Sequence, residues 1–186
     1  MNCCGVPVSK EPVQSAASTI CGACAIKGRK VENITVEHIL KLGYKEQITD
    51  TQYYFCKTPS CDVVYFSNET QQYFIKEDLR VRVWLKEMED TIPICYCFDH
   101  SAASVRDEIA RTGRSTVVPS ITAEIDAGNC SCEVKNPSGH CCLGEVSKLV
   151  TGLLEEQGPM IRRSCGPARG DSKINVAQDC CAFKDN

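Results

Sequence analysis

The sequence predicts an α+β protein in which a small β module precedes a small helical module, with polar flexible tails at both ends. Three observations predict it. Short runs rich in aromatic and β-branched residues lie between residues 52 and 75, separated by turn formers. Beyond residue 100 the apolar residues recur at helical spacing. Fifteen cysteines fall in close groups, one set in each half. The expected division is a cysteine-containing tail over 1–19, a first module over 20–92, a second over 93–157 and a second cysteine-containing tail over 158–186.

The first tail carries Pro7, Pro12 and a Ser/Ala stretch, without hydrophobic period. Cys21-Gly22-Ala23-Cys24 opens the ordered part. Residues 31–42 are expected to contain a short helix, with Thr35 as N-cap ahead of Val36, Ile39 and Leu40. Residues 52–56, 63–67 and 72–75 read as strands, with turns at Pro59-Ser60 and Ser67-Asn68. Residues 81–85, around the single tryptophan Trp84, read as a further strand. The acidic stretch at 87–90 and Pro93 mark the boundary between modules.

In the second module Ser101 caps a helix with Val105 and Ile109 on its core face, ending near Gly113. Ser115 caps the next, with Val117, Ile121 and Ile125 at helical spacing and Gly128 as its stop. Pro119 falls in its first turn, where proline is tolerated. Residues 143–157 give a third helix with Val146, Val150, Leu153 and Leu154 on one face. From Gly158 onward Gly and Pro break any period.

Charge excludes one class of function. With 21 basic against 24 acidic residues the net charge is -3, and no basic stretch interleaves with the aromatics, so no nucleic-acid partner is expected. No apolar run is long enough to span a bilayer, so no membrane insertion is expected. The opening MNCCGVPVSKEPVQ lacks the charged start and apolar core of a secretory signal, so the expected location is cytoplasmic. A reducing cytosol disfavours structural disulfides, and close cysteine groups suit metal ligation better than several separate bridges.

The first cysteine set is Cys21 and Cys24, then Cys56 and Cys61. Two knuckles of two thiolates make a tetrahedral Zn2+ set, and the flanking strands suit a zinc-ribbon or treble-clef-like module. Buried apolar cysteines are the alternative.

The second set is Cys95 and Cys97, then Cys130 and Cys132, then Cys141 and Cys142. Residues 94–128, ICYCFDHSAASVRDEIARTGRSTVVPSITAEIDAG, resemble the [2Fe-2S] module of the bacterioferritin-associated-ferredoxin type. Residues 130–146, CSCEVKNPSGHCCLGEV, taken with YYFCKTPSCDVVYF at 53–66, resemble the N-terminal region of CopZ-type copper chaperones. The resemblance spans roughly residues 20–155 and implies a zinc module joined to a helical [2Fe-2S] module. Four thiolates suffice for such a cluster. Cys95 and Cys97 are the first two candidates. A hairpin at residues 136–139 would bring Cys132 near Cys142, and Cys142 would start the third helix, whose dipole favours a thiolate. The expected ligands are therefore Cys95, Cys97, Cys132 and Cys142, with Cys130 and Cys141 as alternates and a second zinc site as the competing reading.

His100 and His140 neighbour the cysteines but lack Rieske spacing and read as ordinary polar residues. Cys21-Gly22-Ala23-Cys24 has Thr19 where the Met-x-Cys-x-x-Cys loop of a heavy-metal-associated domain has methionine. Cys3-Cys4 and Cys180-Cys181 are vicinal thiols suited to soft ions such as Cu+.

The expected function is non-enzymatic: an iron–sulfur and zinc protein of copper homeostasis, coupling one-electron transfer to soft-metal chaperoning. Its candidate partners are the metal ion and a metal-export ATPase or redox protein. The alternatives are an electron carrier for another oxidoreductase, and a metal or redox sensor.

Overall fold

The computed structural model describes residues 19–157. Four short strands form the first sheet: β1 (Arg29–Val31), β2 (Tyr53–Phe55), β3 (Val63–Ser67) and β4 (Gln72–Ile75). They pair antiparallel in the order β1-β2-β3-β4. All five β3 residues are buried, which simple alternation with one wet face would not give. A register shift between Val63 and Tyr65 explains part of this. The irregularity turns both Val64 and Tyr65 into the main core with Val31, Tyr53, Phe55 and Phe74, while Val63 and Phe66 pack with Tyr54 among the first cysteines. The same strand thus builds a core on one face and a cysteine pocket on the other.

Helix α1 (Asn33–Ile39) closes the core with Val36 and Ile39. Its N-cap is Glu32, not Thr35. Val31 is still paired with Tyr53, so the chain stays extended to Glu32 and Thr35 falls inside the helix, buried. A short 3-10 helix over Leu42–Gln47 follows.

Residues 81–85 are not a strand. Helix α2 (Trp84–Glu87) begins there and stops at Met88, whose φ is 52°. The backbone groups that would enter a sheet have other partners. The Trp84 N–H donates to the Tyr96 hydroxyl at 3.0 Å, that hydroxyl donates to the Arg82 carbonyl at 2.9 Å, and the Val83 N–H donates to Glu87 at 3.2 Å. Val83 belongs to the first core and Trp84 packs on the second, so this turn joins the two halves.

The second half opens with a hairpin that sequence periodicity did not reveal, β5 (Pro93–Cys95) against β6 (His100–Ser101). Three helices follow: α3 (Ala102–Thr112), α4 (Val117–Asp126) and, after the single-turn α5 (Cys132–Lys135), α6 (Leu143–Gln157). Ser101 caps α3 by accepting from the Ser104 N–H, and Gly113 closes it with φ 71°. The N-cap of α4 is Thr116 rather than Ser115; the Ser115 hydroxyl still accepts from the Val117 N–H at 3.2 Å, and the Glu108 carboxylate of α3 accepts from the Thr116 N–H at 2.9 Å. Ile109, Ile121, Val146 and Val150 fill the core between these helices.

The two halves touch closely. The Tyr65 hydroxyl donates to the Pro137 carbonyl at 2.6 Å. Gly139, with φ 66°, lies so near α1 that a Cβ would sit 2.9 Å from the Thr35 hydroxyl oxygen.

Candidate metal centres

The first cysteine set is assembled from two chain reversals. Cys21 and Ala25 exchange a tight turn, the Ala25 N–H donating to the Cys21 carbonyl at 2.8 Å, and Ile20 bridges Lys27. Asn68 holds this knuckle to the β3–β4 turn through the Ile20 carbonyl at 2.7 Å. Cys56 follows β2 and Cys61 precedes β3; between them the Cys61 N–H donates to the Thr58 carbonyl. Lys86 of α2 is buried beneath this second knuckle, and its ammonium donates to the Thr58 and Cys61 carbonyls at 2.8 and 3.1 Å.

The four sulfurs of Cys21, Cys24, Cys56 and Cys61 lie within 4.8 Å of one another. Cys21 and Cys61 are 4.0 Å apart, Cys24 and Cys56 3.6 Å. A tetrahedron with Zn–S bonds of about 2.3 Å has edges of about 3.8 Å, so the set fits one zinc ion. Burial pushes the Cys61 thiol up to about 12 and also raises Cys21. Burial acts the same way on Cys24, but hydrogen bonds from the Thr58 hydroxyl, the Ile26 N–H and neighbouring thiols outweigh it and bring Cys24 down to about 6.

The second set gathers where the β5–β6 hairpin, the 130–132 loop and the start of α6 meet. The N–H groups of Cys97 and Phe98 donate to the Cys95 sulfur, and the Ser131 N–H donates to Cys97 at 3.4 Å. Cys97 and Cys132 lie 3.6 Å apart. Cys142 shares hydrogen bonds with both Cys132 and Cys95. The four residues singled out from sequence are thus brought together. Cys130 joins them, 3.3 Å from Cys132 and 3.9 Å from Cys97, whereas Cys141 is exposed. Five thiols in contact offer one more than a [2Fe-2S] cluster takes.

The Cys142 thiol is raised, because the sulfurs of Cys132 and Cys95 accept from it. The same bonds lower Cys132 to about 5 and Cys95 to about 7. Cys142 also borders a cavity of about 220 Å³ shared with Phe55, Trp84 and Tyr96, on the seam between the halves.

His38 is exposed on α1, and His140 is exposed with its Nδ1 2.6 Å from the Ser138 carbonyl. The vicinal pairs Cys3-Cys4 and Cys180-Cys181 lie outside the described residues. No helix among the described residues is long and apolar enough to cross a membrane.

Comparison with known proteins adds three findings. The CopZ family model described as a zinc binding domain matches residues 18–80. The copper chaperone CopZ of Archaeoglobus fulgidus is 35% identical over 130 residues, which are 69% of this chain and 60% of that protein. This chain therefore spans less than two thirds of that chaperone's length. The X-ray structure of the A. fulgidus CopZ N-terminal domain superposes with a TM-score of 0.59 at 35% identity, covering 70% of this chain and 96% of that one.

Proposed function

This chain belongs to the family of the CopZ N-terminal domain, and from that premise we propose that it serves copper homeostasis as a non-enzymatic metal protein, with a structural zinc in its first half and a [2Fe-2S] cluster in its second. The observation that carries the reading is the separation of the thiols into two baskets of different kind. One is a four-sulfur set of tetrahedral size, the other a five-thiol set at a helix start.

In the first basket Cys21, Cys24, Cys56 and Cys61 hold zinc and fasten the two loops to each other. Lys86 neutralises part of the negative charge that four thiolates bring. In the second, Cys95, Cys97, Cys132 and Cys142 hold the cluster. When bound, such a cluster supplies one electron at a time, the stoichiometry that Cu2+ needs to become Cu+. The backbone N–H groups of Cys97, Phe98 and Ser131 point at ligand sulfurs and offset anionic charge there. Cys3-Cys4 and Cys180-Cys181 offer soft vicinal thiols for the Cu+ formed. The acceptor is a metal-export ATPase, and the compartment is the cytoplasm, whose reducing poise keeps these thiols free.

The test is anaerobic. Dithionite-reduced protein is mixed with one equivalent of Cu2+, with cluster reoxidation followed optically and Cu+ by a chelator, and the experiment is repeated without residues 1–19 and 158–186. Reoxidation with Cu+ retained by the full chain alone is expected. Absence of reoxidation would discard the copper-reducing role and leave an electron carrier for another oxidoreductase. Equal Cu+ retention by the shortened chain would discard the role of the end cysteines.

A further inference from the structure

Cys130 is the one thiol of the second basket that the reading above leaves without a task. Cys97, Cys132, Cys142 and Cys95 form a continuous chain of sulfur contacts, which already supplies the four thiolates a [2Fe-2S] cluster needs. Cys130 lies against one side of it only. Its sulfur is 3.3 Å from Cys132 and 3.9 Å from Cys97, and the three sulfurs fit within 4.8 Å of one another. We propose that Cys130 is a spare ligand for this side of the cluster, taking over when Cys132 or Cys97 loses its bond to iron. The inference rests on the cluster assigned above.

Three features support it. Cys130 and Cys132 are separated by one residue, so exchanging them requires side-chain rotation and a small loop adjustment rather than refolding. The Ser131 N–H already donates to Cys97, which holds the loop over the site whichever of its two sulfurs ligates. Cys130 is half-buried and belongs to neither apolar core, so its side chain can turn toward the site without unpacking one. In the exchange the Cys130 thiol gives its proton to water and its sulfur forms the iron bond that the lost thiolate has vacated; the total charge of the ligand set and the oxidation state of the metal are unchanged.

Among the described residues the opposite side has no such reserve. Cys141, next in sequence to Cys142, is exposed. The consequence is asymmetry: loss of a ligand beside Cys130 is tolerated, loss of Cys142 is not. Such tolerance suits a site whose ligands risk oxidation or capture by a soft metal.

The experiment uses alanine, because a serine oxygen can itself ligate iron. Full-length wild type and the Cys130→Ala, Cys132→Ala, Cys97→Ala, Cys142→Ala and Cys130→Ala/Cys132→Ala variants are expressed anaerobically with iron. Iron, acid-labile sulfide, zinc and EPR spectra are then measured. Cys130→Ala is expected to match wild type. Cys132→Ala and Cys97→Ala are expected to keep at least half of the wild-type iron and sulfide with a shifted EPR signal, while the double variant and Cys142→Ala lose them. Retained zinc reports that each chain has folded. In the holoproteins, iodoacetamide is expected to label Cys130 in wild type and to spare it in Cys132→Ala. Iron-free Cys132→Ala and Cys97→Ala beside an iron-loaded wild type would overturn the spare-ligand role alone. A wild type without iron and sulfide would overturn the cluster reading itself.

Discussion

The hydroxyl of Tyr65 donates to the carbonyl of Pro137 at 2.6 Å, joining residues 72 positions apart in the chain. Tyr65 is fully buried in the first core, and Pro137 is buried in the turn that leads to Cys142. One bond therefore ties the sheet that carries the first cysteine set to the loop that presents the second. Burial also raises the Tyr65 pKa well above the usual phenol value, so the hydroxyl remains a donor throughout the working pH range.

Tyr65→Phe keeps the ring and removes that donor. A buried acceptor left without a partner costs about 1–3 kcal/mol. A fall in melting temperature is expected, with zinc content unchanged at one and a lower cluster yield, since Cys142 is less well placed. An unchanged melting temperature would show that water replaces the hydroxyl.

The zinc pocket should be the more structural of the two. Cys56→Ser is expected to lose zinc and most of the folded protein, since structural zinc contributes on the order of 10 kcal/mol in zinc-finger peptides. Lys86→Met is milder and more specific. It leaves the Thr58 and Cys61 carbonyls without their charged donor, worth about 1.5–3 kcal/mol. Zinc should then pass to a competing chelator at lower chelator concentration. Wild-type zinc retention in this variant would show that the ammonium plays no part in holding the knuckle.

Cys142→Ser and Cys141→Ser separate two neighbours of equal sequence character. Cys142 is buried against Cys95 and Cys132, and Cys141 is exposed. The Cys142 variant should lose or grossly alter the cluster spectrum while keeping one zinc. The Cys141 variant should show a near-normal spectrum. The reverse result would move the ligand role to Cys141.

Elements with a strong local signal were readable from the sequence. The strands β3 and β4 and helix α6 occupy the residues that β-branched runs and apolar periodicity marked out. Elements that exist only through tertiary contacts were not. β1 has three residues and is a strand because it pairs with β2; α2 replaces an apparent strand because Tyr96 and Glu87 take its N–H groups. The site divides the same way. Knuckle spacing grouped Cys21, Cys24, Cys56 and Cys61, but no spacing rule separates Cys130 from Cys141. That distinction comes from backbone geometry: residues 130 and 132, two apart, both reach the site, whereas only one of Cys141-Cys142 does. Lys86 also gave no sequence signal, since a buried lysine looks like any other basic residue on a helix.

Acid sensitivity should be traceable to Glu108. Its carboxylate accepts from the Thr116 hydroxyl, from the Thr116 N–H at 2.9 Å and from the Ser115 hydroxyl at 2.8 Å, joining α3 to the start of α4. The Thr116 hydroxyl is the largest cause of the lowered Glu108 pKa, followed by the Thr116 N–H. A carboxylate whose folded pKa is lowered stabilises the fold above its unfolded pKa, about 4.3, and that contribution disappears as pH falls through the folded value. Glu108→Gln keeps the shape and removes the titration. Wild type is therefore expected to melt above the variant at pH 7, with the gap shrinking below about pH 4.3. Both proteins lose thiolate-bound metal on acidification, so the quantity to follow is the difference between their melting temperatures at each pH. A gap that stays constant from pH 7 to pH 3, or widens toward acid, would show that the Glu108 charge does not hold α4 in place.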